Sequence, residues 1–229
     1  MNSTQESNPA AGKYYDHDAA YRKKKRDGWI GWDRQFDPSE MDLFTREGLL
    51  RAGQRILNLG CGGGQEAIIA ARLGCHVDAF DASPTAIDLA IANARVEPQA
   101  IASRARFTCA DFLDHPTIPE SLYDVVLDIH CLHCMVREED RRAFLALSGR
   151  ALRAGALLLS ANMCGLPNTA ALRATVKSGS CISLDGRRYF AEEPEIRELL
   201  AAGGFEIVYW NRRRDPTDVD YLLFGATKP

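Results

Sequence analysis

The chain has 229 residues, with 28 Lys or Arg against 31 Asp or Glu, and its formal net charge of −3 supplies no general field for a polyanion, which argues against nucleic acid as a partner. No apolar run approaches the roughly 20 residues of a membrane span, and the first 28 residues lack the apolar stretch of a signal peptide, so a cytoplasmic protein with no membrane partner is expected. Seven cysteines (Cys61, Cys75, Cys109, Cys131, Cys134, Cys164 and Cys181) are odd in number and scattered, and read as small buried hydrophobes kept reduced.

A chain of this length can fold as one domain that buries roughly 70 to 75% of its unfolded surface. The pattern divides 1–229 into an N-terminal cap segment, 1–50, and a core, 51–229, with a cap insertion at about 163–190. In the cap, the run Arg22-Lys23-Lys24-Lys25-Arg26 reads as a solvated helix face. Apolar residues at 41, 43, 44, 49 and 50 predict a helix from Pro38 to Leu50. Strand-like runs follow at 55–59, 76–80, 105–109, 124–128, 156–161, 205–210 and 221–227, separated by helix-like stretches at 65–73, 84–95, 138–152 and 192–202. That alternation predicts an α/β fold: a doubly wound, seven-stranded, mostly parallel sheet with helices on both faces. Residues 211–220 are too short and polar for a parallel crossover, which needs about a dozen residues, so the last strand is expected to be antiparallel.

The first strand-like run passes into Asn58-Leu59-Gly60-Cys61-Gly62-Gly63-Gly64 and then a helix. Glycine there permits unusual dihedrals and lets a ligand approach bare backbone. A dinucleotide turn, G-x-G-x-x-G, would need its third glycine where this chain has Gln65. The spacing present, G-x-G-x-G at 60, 62 and 64, resembles the first motif of class I S-adenosylmethionine-dependent methyltransferases. The likeness continues in order: Asp81 at the end of the second strand, Cys109-Ala110-Asp111-Phe112 at the third, Tyr123 to Asp128 in the fourth, and Leu152-Arg153-Ala154-Gly155-Ala156 before the fifth.

The resemblance implies S-adenosyl-L-methionine as cofactor, a Rossmann-like fold and a set of cofactor-binding positions. These are Asn58, Gly60, Cys61, Gly62 and Gly64 in the turn, Asp81 with Ala82 at the ribose, and Ala110, Asp111 and Phe112 at the adenine, with an ordinary helix N-cap as the lesser reading of Asp111. Asp128 and Ile129 would face the methionine part, and Trp32 would cover the cofactor. Two departures stand out: Asn58 replaces the usual acidic residue, and Ala154 and Ala156 replace Pro and Gly before the fifth strand.

The segment after the fourth strand, Asp128-Ile129-His130-Cys131-Leu132-His133-Cys134-Met135, lacks the Asn-Pro-Pro-Tyr of amino-group methyltransferases acting on DNA or protein, so a small-molecule acceptor is expected. His130 is read either as a base or acceptor-positioning residue or as a satisfied core histidine, and His133 as chemistry or as packing. The Cys-x-x-Cys pair lacks the second pair of a structural zinc site, and no metal is expected. Tyr14, Tyr15, Tyr21, Trp29 and Trp32 are candidates for a lid, with Tyr15 and Trp29 toward the acceptor; the paired Trp is similar to that of thiopurine and tellurite-resistance type methyltransferases. Arg187 and Arg188, in the insertion, suit an acidic acceptor. The acceptor atom (N, O or S) stays open, a monomer or homodimer is expected, and two alternatives remain: an NAD(P)-dependent oxidoreductase and a non-catalytic, metal-sensing module.

Overall fold

The structure is a computed structural model that describes residues 16–27, 39–114, 118–178 and 181–229. Tyr14, Tyr15, Trp29 and Trp32 lie outside the described residues, so the expected aromatic lid is represented only by Tyr21.

Seven strands form one sheet: β1 (Arg55–Leu59), β2 (His76–Asp81), β3 (Ala105–Cys109), β4 (Tyr123–Ile129), β5 (Leu152–Cys164), β6 (Glu206–Arg213) and β7 (Asp220–Thr227). Their order is β3-β2-β1-β4-β5-β7-β6, with β7 antiparallel to both of its neighbours and the other pairs parallel. The central strands explain this arrangement. Ile56, Leu57 and Leu59 of β1 and Val125, Val126 and Leu127 of β4 are all fully buried, as strands covered on both faces must be. Alternate residues feed different cores. Leu57, Val126 and Leu158 pack with Phe144, Leu200 and Phe224 on one face, while Ile56, Val125 and Leu159 pack with Phe44, Ala67 and Leu223 on the other.

The helices are α1 (His17–Arg26), α2 (Ser39–Arg46), α3 (Gln65–Arg72), α4 (Pro84–Arg95), α5 (Gln99–Ala102), α6 (Glu138–Ala151), α7 (Ala170–Arg173) and α8 (Glu193–Ala202). The sequence pattern overextends α2. The helix stops at Arg46, and Leu49 and Leu50, expected in it, both donate their backbone N–H to Phe44 O in a closing turn. It also starts β5 too late, since Leu152 already pairs with Tyr123 before a register shift and the strand runs on to Cys164 against Asp220.

Helix α1 docks on the start of α4. Asp18, almost fully buried, accepts from Ser83 Oγ at 2.7 Å and Thr85 N at 2.9 Å, while Tyr21 packs on Ala86 and Leu89. Arg22, Lys23, Lys25 and Arg26 point outward, so the basic run is a solvated face. Strand order reverses between β1 and β4, and the crevice at their carboxyl ends is where open α/β sheets bind ligands.

Candidate active site

At the carboxyl end of β1 the chain turns sharply, with φ of +70° at Gly60, +53° at Gly62 and +81° at Gly64. Side chains are excluded from this turn by packing as well as by dihedral angle. A Cβ on Gly60 would stand 2.4 Å from Cys131 Sγ, and one on Gly64 would stand 2.8 Å from both Ala90 and Phe107. The turn is tied to β2 by Gly60 N and Cys61 N, which donate to Phe80 O at 2.8 and 2.9 Å. Asp81 then closes it from the side: Oδ2 accepts from Gly62 N at 2.9 Å and Oδ1 from Ser83 N at 2.8 Å. Burial pushes the Asp81 carboxyl above the ordinary carboxylate range, while those two N–H groups pull it back.

Asn58 is buried in β1 and donates from Nδ2 to Leu127 O at 3.2 Å, whereas its Oδ1 is buried with no hydrogen-bond partner among the described residues. Next to this, Ala110 N donates to Asp81 O, and Asp111 Oδ1 accepts from Leu113 N at 3.1 Å, a turn-capping contact. The Phe112 ring lies in the core edge-to-face with Phe144, leaving only its backbone for a ligand. Ala82, Ala110 and Ile129 line the same strand ends.

The other half of the crevice is formed by the turn after β4. His130 has φ +64°, a left-handed conformation that is uncommon for a residue with a Cβ. Its backbone N donates to Ala161 O at 2.8 Å, and its ring meets His133 and Tyr221 edge-to-face at 5.8 and 5.3 Å. Buried Glu40 of α2 brings Oε1 within 4.0 Å of His130 Nε2 and binds Arg213 at 2.8 Å. Burial, followed by the charges of Arg188 and Arg213, pushes the His130 pKa down to about 3. His133 is pushed well below the usual histidine range, by burial first and then by Arg188. Both rings are therefore neutral near pH 7.

The insertion is fastened to this turn by Tyr189 N, which donates to His133 O at 2.7 Å. Buried Ser183 accepts from Arg187 N and Arg188 N at 3.1 and 2.9 Å, holding the two arginines side by side. Their environments differ. Arg187 pairs with Asp185 at 3.4 Å, while Arg188 donates to Cys134 Sγ and Arg187 O and makes no ion pair among the described residues. A cavity of about 360 Å³ is lined by His133, Asn162, Arg141, Tyr189 and Glu195 among others, and by neither Arg187 nor Arg188.

A family model described as a methyltransferase domain matches residues 56–155. A ubiquinone biosynthesis O-methyltransferase of Caulobacter vibrioides is 30% identical over 203 residues, an alignment covering 79% of this chain and 76% of that protein. The chain belongs to the S-adenosylmethionine-dependent methyltransferases. This methyltransferase is also 31% identical over 143 residues to the mitochondrial ubiquinone biosynthesis O-methyltransferase of Schizosaccharomyces pombe, covering 58% of the chain but only 50% of that relative; the chain thus spans about half its length. In fold it resembles the 1,6-didemethyltoxoflavin-N1-methyltransferase of Burkholderia thailandensis, solved with S-adenosylhomocysteine, at a TM-score of 0.69 and 23% identity, covering 100% of this chain and 93% of that one.

The residues of this methyltransferase fit the family's cofactor on two observations: the Asp81 carboxylate at the end of β2, whose oxygens each accept one backbone N–H and keep further acceptor capacity, and an orphaned buried amide oxygen at Asn58. One expectation needs correction. Asp128 does not turn its carboxylate toward the crevice, because the side chain is fully buried and accepts four hydrogen bonds from the protein. The thiols of Cys131 and Cys134 are raised in pKa by burial, which disfavours a reactive dithiolate, and among the described residues no three His, Cys, Asp or Glu side chains gather as metal ligands would. Sequence reasoning missed Glu40, Asn162, Arg213 and Tyr221. Only Asn162 carried a signal, since Ser160 and Asn162 are polar residues at spacing two in the otherwise apolar run 154–164 of β5.

Proposed function

We propose that this methyltransferase acts on a hydroxyl of a small molecule that also carries an acidic group. The observation that carries the reading is His133, a buried, neutral imidazole whose Nε2 has no hydrogen-bond partner among the described residues. A hydroxyl is the acceptor that needs such a group, because its proton must leave as the oxygen becomes a nucleophile, whereas a thioether needs no base. The relatives from Schizosaccharomyces pombe and Caulobacter vibrioides are both named as O-methyltransferases, which supports oxygen as the acceptor atom.

When bound, S-adenosyl-L-methionine supplies a methyl group on a positively charged sulfur that is already a good leaving group. The chain's own residues then hold, orient and keep dry. The backbone of Gly60, Cys61, Gly62 and Gly64 forms the floor, Asp81 with Ala82 takes the ribose hydroxyls, and Ala110, Asp111 and the Phe112 backbone border the adenine. Asn58 Oδ1, with Ile129 nearby, accepts from the ammonium end. On the acceptor side His133 Nε2 takes the hydroxyl proton as the new oxygen–carbon bond forms. His130 positions the acceptor with Tyr221, and Arg188, which pairs with no carboxylate among the described residues, holds the acidic group, with Arg187 as its neighbour.

The test is a panel of small hydroxy acids and their neutral esters or amides, incubated with the protein and methyl-labelled S-adenosyl-L-methionine, with products read by mass spectrometry. Methyl ethers formed faster from the acids than from the neutral analogues are expected. Faster labelling of amines or thiols than of any hydroxyl would overturn the reading.

A further inference from the structure

A buried polar chain runs from the end of β4 to the His133 ring. The register that sets Asp128 beside Ser160 also places Asn162, two residues on, over the same face of β5. Asp128 Oδ2 accepts from Ser160 Oγ at 2.7 Å and from Asn162 Nδ2 at 2.6 Å, and its Oδ1 accepts from Cys131 N at 3.1 Å and Leu132 N at 3.0 Å. Asn162 Nδ2 also donates to Ser160 Oγ at 2.7 Å.

These contacts fix which way the Asn162 amide faces. Turned over, it would set its carbonyl oxygen against a carboxylate oxygen at hydrogen-bond distance in the dry interior, where unmatched acceptors are costly. Oδ1 therefore points the other way, where it accepts from His133 N at 3.1 Å and lies 2.9 Å from His133 Nδ1. Two bare acceptors would repel at that separation, so the ring presents an Nδ1–H to Asn162. A competing contact, Met163 N to Nδ1 at 3.3 Å, would require a bare Nδ1. It is the longer of the two, and adopting it would leave Asn162 Oδ1 facing a lone pair. With the proton on Nδ1, the buried Nε2 carries the lone pair.

We propose that Asn162, oriented by Asp128 and Ser160, is a positioning residue that locks His133 in the Nδ1–H tautomer and so presents the Nε2 lone pair to the acceptor hydroxyl. The proposal rests on the reading of His133 as the base. It leaves the proton balance of the reaction unchanged: the hydroxyl proton goes to Nε2 and is lost to solvent after the product leaves.

The tautomer can be read without turnover, from two-bond proton–nitrogen correlation spectra of protein carrying nitrogen-15 histidine, with the His133 signals identified by their loss in His133→Gln. Wild-type protein should show His133 as the Nδ1–H form; an Nε2–H ring would overturn the proposal. Asn162→Leu should release the ring toward the Nε2–H form and lower kcat about a hundredfold, the scale of general base catalysis, while the exchange Asp128→Asn with Asn162→Asp, which keeps an acceptor facing Nδ1 and a donor–acceptor pair between positions 128 and 162, should restore the Nδ1–H signal and most of kcat. Unchanged tautomer and kcat in a folded Asn162→Leu protein would also overturn it. If that variant does not fold, the wild-type spectrum and the exchanged pair still decide. A tautomer that follows residue 162 while His133→Gln turns over normally would remove the base reading, and with it any catalytic role for Asn162, while leaving the tautomer control intact.

Discussion

In the proposed site the cofactor end would offer a ligand mostly backbone, the glycine turn after β1 and the strand ends at 81–82 and 110–112, with Asp81 as the main side chain. The proposed acceptor end is side chains: His130 and His133 from the turn after β4, Glu40 from α2, Arg188 from the insertion, and Arg213 and Tyr221 from β6 and β7. A backbone surface depends on a few local residues and suits a ligand that does not vary. A surface of side chains from several elements can change its chemistry one residue at a time over an unchanged sheet. The halves meet at Gly60 and Cys131, where the proposed cofactor turn packs against the turn after β4.

That contact should give the largest effect. Gly60→Ala adds a Cβ 2.4 Å from Cys131 Sγ at a φ of +70°, and strain plus overpacking should cost about 3 kcal/mol of stability in denaturant unfolding. Cys131→Gly in the same chain should recover the overpacking part. An equal cost in both backgrounds would mean that the halves are not coupled there.

A second measurement weighs the cofactor half alone. Asp81→Ala should weaken S-adenosyl-L-methionine binding by about 1 to 3 kcal/mol in calorimetry, the range for losing hydrogen bonds to a charged group. Affinity unchanged within error would remove Asp81 from the site.

The acceptor half should show itself in acid. The His130 pKa is about 3 in the folded chain against about 6.5 for an ordinary histidine. Between those values the unfolded chain binds a proton at this ring that the folded chain does not, so stability rises with pH across the window and is lost as pH falls below about 6.5. Asp81 and Asp128, raised by burial, oppose this trend toward the acid end of the window. His130→Asn should therefore flatten the fall in unfolding free energy between pH 6 and pH 4 by up to about 1.4 kcal/mol per pH unit. Parallel curves for the two proteins would contradict a buried neutral ring.

The smallest expected effect separates the two arginines. Arg188→Met should raise KM for an acidic acceptor about fivefold, roughly 1 kcal/mol, and leave a neutral analogue unaffected, while Arg187→Met, which breaks an existing pair with Asp185, should change neither by as much. Equal effects of both substitutions would erase the distinction between them.

The sequence by itself determined the doubly wound sheet with its antiparallel last strand, and the class of the cofactor, because both rest on local order. Strand–turn–helix periods are written within some 30 residues, and Gly60, Gly62, Gly64 and Asp81 follow one another along the chain. It placed His130 and His133 in the right turn but left their chemistry open. Only the tertiary structure decided that Asp128 faces inward rather than toward the cofactor, that Asn162 stands against His133, and that Glu40 reaches Arg213 across 173 positions of sequence. These follow from registers between strands and from how α2 packs on the sheet. A buried polar atom finds its partner through the pairing of distant elements, and no periodicity along a single segment records that pairing.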